Sequence, residues 1–163
     1  MLEMNTKMYN DLIEMSFSQQ FKRGIDGHGS TIGKALLITT SIDLGRQTGK
    51  TEALVNKVIR DAGTGVFTYY VGHSMMASKI FLDRIAEKQS GKRICVGLTS
   101  KRSRFVDSMR GVIQESQAVN IIFDECGMSH EQQHEFIASI RLQMERGNPT
   151  HPYPYIHVIR MGM

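Results

Sequence analysis

"ALLITTSIDLGRQTGKTEALVNKVIRDAG", residues 35–63, decides how this chain folds. It opens with a continuous apolar and β-branched run, the pattern of a strand covered on both faces. A short glycine-containing segment follows. Apolar residues then recur at helical spacing, with Leu54, Val55, Val58 and Ile59 on one stripe and Gly63 as a stop signal. In a strand–turn–helix unit the first backbone N–H groups of the helix converge on whatever sits in the turn. Here the turn ends in Gly49, Lys50 and Thr51, the second half of a phosphate-binding loop, G-x-x-x-x-G-K-[ST]. The first glycine is displaced: Leu44 holds its place and Gly45 comes one residue later. In such a loop the lysine brings positive charge to the β/γ-phosphates and the hydroxyl ligates Mg²⁺. A bare GKT also occurs in surface turns, so it is the strand–loop–helix setting that carries the reading.

Outward from this unit, strand and helix signals alternate. "VFTYYVG" reads as a second strand, and "SMMASKIFLDRIAEKQS" as a helix with Ser74 as N-cap. "KRICVGL" is a third strand. "SRFVDSMRGVIQES" is helical only in part, because Gly111 interrupts it. "AVNIIFDEC" is a fourth strand, and "SHEQQHEFIASIRLQMERG" a helix with Phe136, Ile137, Ile140 and Met144 on one side. "NPTHPYP" turns the chain into a last strand, "YIHVIR". Strands are expected at about 35–43, 66–72, 93–98, 119–124 and 155–160. Upstream, residues 1–20 suggest a short amphipathic helix whose apolar residues are Met8, Leu12 and Ile13, with Met15 and Phe17 as further candidates, and "KRGIDGHGSTIG" a loop. The pattern predicts one α/β domain over 1–163 with a mostly parallel sheet, residues 1–34 leading into its core.

Composition agrees. At 163 residues the chain suits a single domain, and 40% hydrophobic residues suffice for a core. A net charge of +4 permits an anionic partner without demanding one. Cys95 and Cys126 form no CxxC pair, so a reduced, cytoplasmic protein is expected. No apolar run approaches the roughly 18 residues that span a bilayer, and the acids of "MLEMNTKMYNDLIEMSF" do not suit a signal peptide. No membrane partner is expected.

The second chemical feature is "NIIFDECG". Asp124 and Glu125 close an apolar strand, so both are expected at the carboxyl edge of the sheet, where ligands of α/β folds bind. A phosphate-loop ATPase needs one acid there for Mg²⁺ and a base to orient the attacking water. A strand that simply ends in two acids at a turn is the plainer alternative.

With both segments in view, "GRQTGKT" resembles the deviant Walker A loop of phage terminase large subunits, the ATP-driven motors that package DNA. Those loops lack the first glycine and commonly carry an Arg-Gln pair. "VGHSMMASKIFLDRI" resembles the strand–helix segment after that loop, "SMRGV" the Arg-Gly pair before Walker B, and "NIIFDE" the Walker B strand. The likeness covers roughly residues 35–128. It implies a P-loop NTPase fold of the RecA/ASCE type, a three-layer sandwich. It implies ATP and Mg²⁺ as cofactors, with Gly45, Arg46, Gln47, Thr48, Gly49, Lys50 and Thr51 around the phosphates. Thr51 and Asp124 would hold the metal, Glu125 would act as catalytic base, and Lys50 and Arg46 would reach the β/γ-phosphates. Gln19 or Gln20 would be the upstream glutamine that reads adenine. Water would attack the γ-phosphate directly, with no covalent enzyme intermediate. Implied partners are duplex DNA, other packaging proteins and further copies of the chain. A viral protein of this kind would work in the host cytoplasm.

The sequence also departs from that family. After Walker B, terminases carry a strand ending in a small polar coupling motif, whereas "YIHVIRMGM" ends in Met161, Gly162 and Met163. Nothing corresponds to the rest of the ATPase core or to the nuclease domain, so DNA cleavage is not expected. A minimal ATPase, one piece of a split motor and a fragment of a longer chain all remain open. So does a nucleotide-binding module that regulates or assembles with little turnover. A nucleotide kinase is a weaker option, lacking an acceptor signature or a lid.

Residues 130–134, "HEQQH", also satisfy HExxH, which on a helix can bind Zn²⁺ through two histidines with Glu131 as base. Against a zinc peptidase, Ser129 and Gln132 make a capping box that puts His130 at the very start of the helix. Glu145, His151 and His157 are the conceivable third ligands. Lys92, Arg93, Lys101, Arg102 and Arg104 form a basic stretch suited either to DNA phosphates or to a solvated face. Tyr69, Tyr70 and Cys126 read as core.

Overall fold

The computed structural model describes residues 1–28, 34–44, 49–89, 94–97, 118–147 and 153–162. Among them the elements run α1 (Leu2–His28), β1 (Leu36–Ile42), α2 (Lys50–Gly63), β2 (Phe67–Gly72), α3 (Met75–Lys88), β3 (Ile94–Gly97), β4 (Ala118–Asp124), α4 (His130–Arg146) and β5 (Tyr155–Met161). The strands form one sheet in the order β1-β5-β4-β2-β3, and every pair is parallel.

Alternation along the strands sorts the core onto two faces. On one, Val119, Ile121 and Phe123 of β4 and Ile156 and Val158 of β5 pack against Phe136, Ile137, Ile140 and Met144 of α4. On the other, Ile122, Ile159, Met161 and Tyr70 meet Ile13, Leu54, Val58 and Phe81 from α1, α2 and α3. Handedness explains the division. The chain passes from β1 to β2 in one direction across the sheet and from β4 to β5 in the other. Right-handed crossovers then require opposite faces for α2 and α4. Both faces of β2 and β4 are covered, so all their residues are buried and their sequences read as unbroken apolar runs.

The helix signals hold at α3 and α4. Ser74 accepts from the Ala77 N–H at 3.1 Å, and Ser129 with Gln132 forms a complete capping box. At α2, Gly63 is the last helical residue, and the left-handed turn falls two residues later, at Gly65 (φ 82°).

The N-terminal expectation needs correction. The helix does not stop near residue 20 but continues through "KRGIDGH" to His28. Two glycines in a helix cost about 1 kcal/mol each, and aromatic packing offsets that. Phe17 stacks on Phe21 with centroids 5.4 Å apart, and both meet the ring of Tyr155 edge-on, at 5.0 and 5.7 Å. Gly24 itself lies against β1, where an added Cβ would stand 3.3 Å from the Leu36 side chain.

Gln20 is explained by the same seat. β1 is an edge strand, and Gln20 treats it as a neighbouring strand would. Its amide donates to Thr39 O at 2.6 Å and accepts from Thr39 N at 3.0 Å. An amide so engaged covers a sheet edge and is not presented to a base; the adenine-reading role fails for Gln20, and Gln19 is simply exposed. Among the described residues no helix is long and apolar enough to cross a membrane. The basic residues Lys92, Arg93, Lys101, Arg102 and Arg104 and the segment "SMRGV" lie outside the described residues.

Candidate functional site

Strand register sets the floor of the site. Ile42 at the end of β1 pairs with Met161 of β5, and Met161 pairs with Asp124 of β4. Three strands therefore end level, and α2 begins at Lys50 beside the acidic pair. Gly49, the N-cap of α2, has φ 96°, and a Cβ there would stand 2.8 Å from Thr6 N in the first turn of α1. Only glycine satisfies both the left-handed backbone and this close approach. Among the described residues no side chain caps the first turn of α2, which contains Lys50 and Thr51.

Across the gap, Lys50 Nζ lies 2.7 Å from Glu125 Oε1 and 3.1 Å from Asp124 Oδ1. Burial works against the ammonium, but the hydrogen bond to Glu125 and the charge of Asp124 outweigh it, so the Lys50 pKa is raised. Lys50 is a cation at any physiological pH.

The two acids are held differently. Asp124 is buried; its Oδ2 accepts a 2.6 Å hydrogen bond from the Tyr70 hydroxyl. Its Oδ1 has the ion-pair contact with Lys50 but, among the described residues, no well-directed hydrogen bond. Burial, then the charge of Asp124, pushes the Tyr70 pKa well up, so the phenol stays protonated and donates. Glu125 is half-exposed and sits in the left-handed region at φ 48°, its N–H donating to Met161 O at 3.0 Å. A non-glycine residue there costs on the order of 1–2 kcal/mol. The bend turns the Glu125 side chain toward Lys50 at the strand's end. Gly162 follows suit: at φ 66° it donates its N–H to Ile42 O at 3.0 Å and faces Glu125.

Thus Gly49, Lys50, Thr51, Asp124 and Glu125 gather at one end of the sheet, while Gly45, Arg46, Gln47 and Thr48 lie outside the described residues. From sequence Tyr70 reads as core, and no sequence signal pairs it with Asp124. Gly162 drew attention only as a departure, although a glycine directly after a strand is a hint of close backbone approach. Cys126 is buried, and burial pushes its thiol pKa up, against a nucleophilic role.

The HEQQH segment opens α4 and lines, with Ala138 and Arg160, an open groove of about 600 Å³. The third ligands do not gather there. His157 lies on the other face of the sheet, bonded to Thr40 and against the Phe17 ring. Glu145 is three turns further along α4, holding Ala35 N and Arg141. His151 is outside the described residues. Among the described residues no group of three or more His, Cys, Asp or Glu side chains could hold a metal.

No protein-family model matches the chain, and no curated protein matches it either. The geometry of the site carries the functional argument by itself.

Proposed function

We propose that the chain is a Mg²⁺-dependent ATPase core of the P-loop type. The observation that supports this best is the meeting of Lys50 with Asp124 and Glu125, residues some 75 positions apart that sequence reasoning had paired for their chemistry. The donor set fits a metal-bound triphosphate. The first turn of α2, which no side chain caps among the described residues, offers N–H groups and a positive helix end to an anion. Asp124 Oδ1 is a buried carboxylate oxygen with hydrogen-bonding capacity to spare. Thr51 would supply the hydroxyl ligand and Asp124 the carboxylate; one or two protein oxygens suffice for Mg²⁺, which keeps much of its water. The bound ion would neutralise charge on the β- and γ-phosphates.

The chain's own residues divide the remaining work. Lys50 would release the carboxylates for the phosphates when nucleotide enters. Glu125, relieved of its ion pair, would orient a water and accept its proton as the oxygen attacks the γ-phosphoryl group and ADP leaves. By its resemblance to terminases, the reading extends to an ATP-driven transaction on duplex DNA.

The test is nucleotide binding and steady-state phosphate release, with and without duplex DNA, for wild type, Lys50→Ala and Glu125→Gln. Lys50→Ala should lose binding and turnover, and Glu125→Gln should bind but not turn over. Binding without turnover in wild type as well would make the chain a nucleotide-binding regulatory module. No binding in wild type would end the proposal.

A further inference from the structure

We propose that Tyr70 is a positioning residue for the metal-binding carboxylate: its hydroxyl fixes Asp124 Oδ2 and so reserves Oδ1 for the divalent ion. The inference rests on the reading of the site given above. A carboxylate on a single Cβ–Cγ bond can turn and present either oxygen. Here one oxygen is already engaged, by a 2.6 Å bond from a phenol that is 3% exposed. The phenol cannot follow a turning carboxylate, because its ring lies flat on Phe81, with centroids 3.8 Å apart and planes 5° from parallel.

The neighbouring strand leaves room for this arrangement at one point. Gly72 pairs with Asp124 across the sheet and follows Tyr70 on the same face. A Cβ at Gly72 would stand 3.1 Å from Tyr70 Cε1 and 3.1 Å from Ser78 Oγ, within the space the ring uses to reach the acid. Phe81, Tyr70, Gly72 and Asp124 thus form a stack that ends on a chosen carboxylate oxygen. A phenylalanine at position 70 would fill the core equally well; the hydroxyl serves the acid. Groups that orient metal ligands in this way typically govern metal affinity by about 10- to 100-fold.

The experiment is a Mn²⁺ titration followed by electron paramagnetic resonance, with a non-hydrolysable β,γ-imido analogue of ATP present. Affinity for the same analogue in EDTA and the thermal melting point are measured alongside. Tyr70→Phe is expected to raise the Mn²⁺ concentration for half-saturation about 10-fold, with metal-free analogue affinity unchanged. Phe81→Leu keeps the hydroxyl but frees the ring, and should raise it by a smaller factor; it stands in if Tyr70→Phe does not fold. Wild-type Mn²⁺ affinity in the folded variants would overturn the proposal, as would parallel losses of metal-free and metal-dependent binding. Wild type that binds the analogue equally with and without Mn²⁺ would instead overturn the metal-dependent reading of the whole site.

Discussion

Gly162 stands directly against Glu125: a methyl group at position 162 would meet Glu125 Cγ at 2.9 Å and Oε1 at 3.0 Å. The backbone of Gly162 is also left-handed, at φ 66°. Gly162→Ala therefore carries two penalties, about 1 kcal/mol of backbone strain and displacement of the glutamate. Lys50 and Thr51 lie on another element, and the three atoms nearest the added methyl all belong to Glu125. On the proposed function, Gly162→Ala keeps nucleotide affinity and loses about 10- to 100-fold in turnover, the scale set by misplacing a reacting group by an ångström. Parallel measurement of nucleotide Kd and kcat checks this. An unchanged kcat would show that Glu125 is not the base or is not held from Gly162.

Lys57 is a charge inside the protein. It is 3% exposed, pairs with Asp61 at 2.8 Å and Glu14 at 3.2 Å, and lies over the Phe17 ring. Asn120 completes the group by donating to Asp61 at 2.8 Å. One ammonium thus joins α1 to α2. Removing Lys57 leaves Asp61 with Asn120 and Glu14 with Arg60, so the cost, about 2 kcal/mol, comes from the lost charged hydrogen bonds and the lost stem packing. Lys57→Ala should lose about that much in urea unfolding, and Lys57→Met less, because it keeps the alkyl stem over Phe17. Equal, small losses would mean that the group is worth no more than a surface pair.

Lys57 also shows where sequence reading runs out. The stripe of α2 was legible because Leu54, Val55 and Val58 follow helical spacing, and all three are buried. Lys57 sits among them, and its burial rests on Asp61 one turn on and on Glu14 and Phe17 of α1, contacts to another helix that helical spacing does not announce. Likewise β4 was legible as an apolar run covered on both faces, and the acids at its end announced an edge; β1 was legible as a strand, but at the sheet edge it leaves Leu37 and Ser41 exposed instead of covered on both faces. The αL bend at Glu125, the hydroxyl of Tyr70 and the extension of α1 depend on contacts across the sheet. Local propensity carries no trace of those. Gly24 and Gly27 argued for a loop, and aromatic packing of Phe17 and Phe21 on Tyr155 overrode them.

Gln20 gives a sharper test of the α1 seat. Its amide makes both hydrogen bonds that a further strand would make to Thr39. Gln20→Ala uncovers that stretch of edge and is expected to cost about 1–2 kcal/mol. Amide hydrogen exchange at Thr39 should quicken well beyond the change expected from the loss of global stability. If Thr39 exchange follows global stability alone, the side chain is not what protects the edge.

His157 ties stability to pH. It is fully buried, with Nε2 2.9 Å from Thr40 Oγ1, and Nδ1 has no hydrogen-bond partner among the described residues. Burial first, and the nearby charge of Lys57 second, lower its pKa from 6.5 to about 3. The folded ring is therefore neutral, while the unfolded ring takes up a proton as pH drops below about 6.5. A depressed folded pKa favours unfolding as pH falls. The stabilising contribution is complete above the unfolded pKa and declines between about 6.5 and 3. By pH 5 this group should remove about 2 kcal/mol relative to pH 7. Urea unfolding of wild type and His157→Gln at both values isolates the effect, since carboxylates shared by the two proteins cancel in the difference. The gap between wild type and variant should narrow, or change sign, from pH 7 to pH 5. A constant gap would mean that the imidazole accepts its proton inside the fold, and that the pocket between Phe17 and Thr40 is open to water.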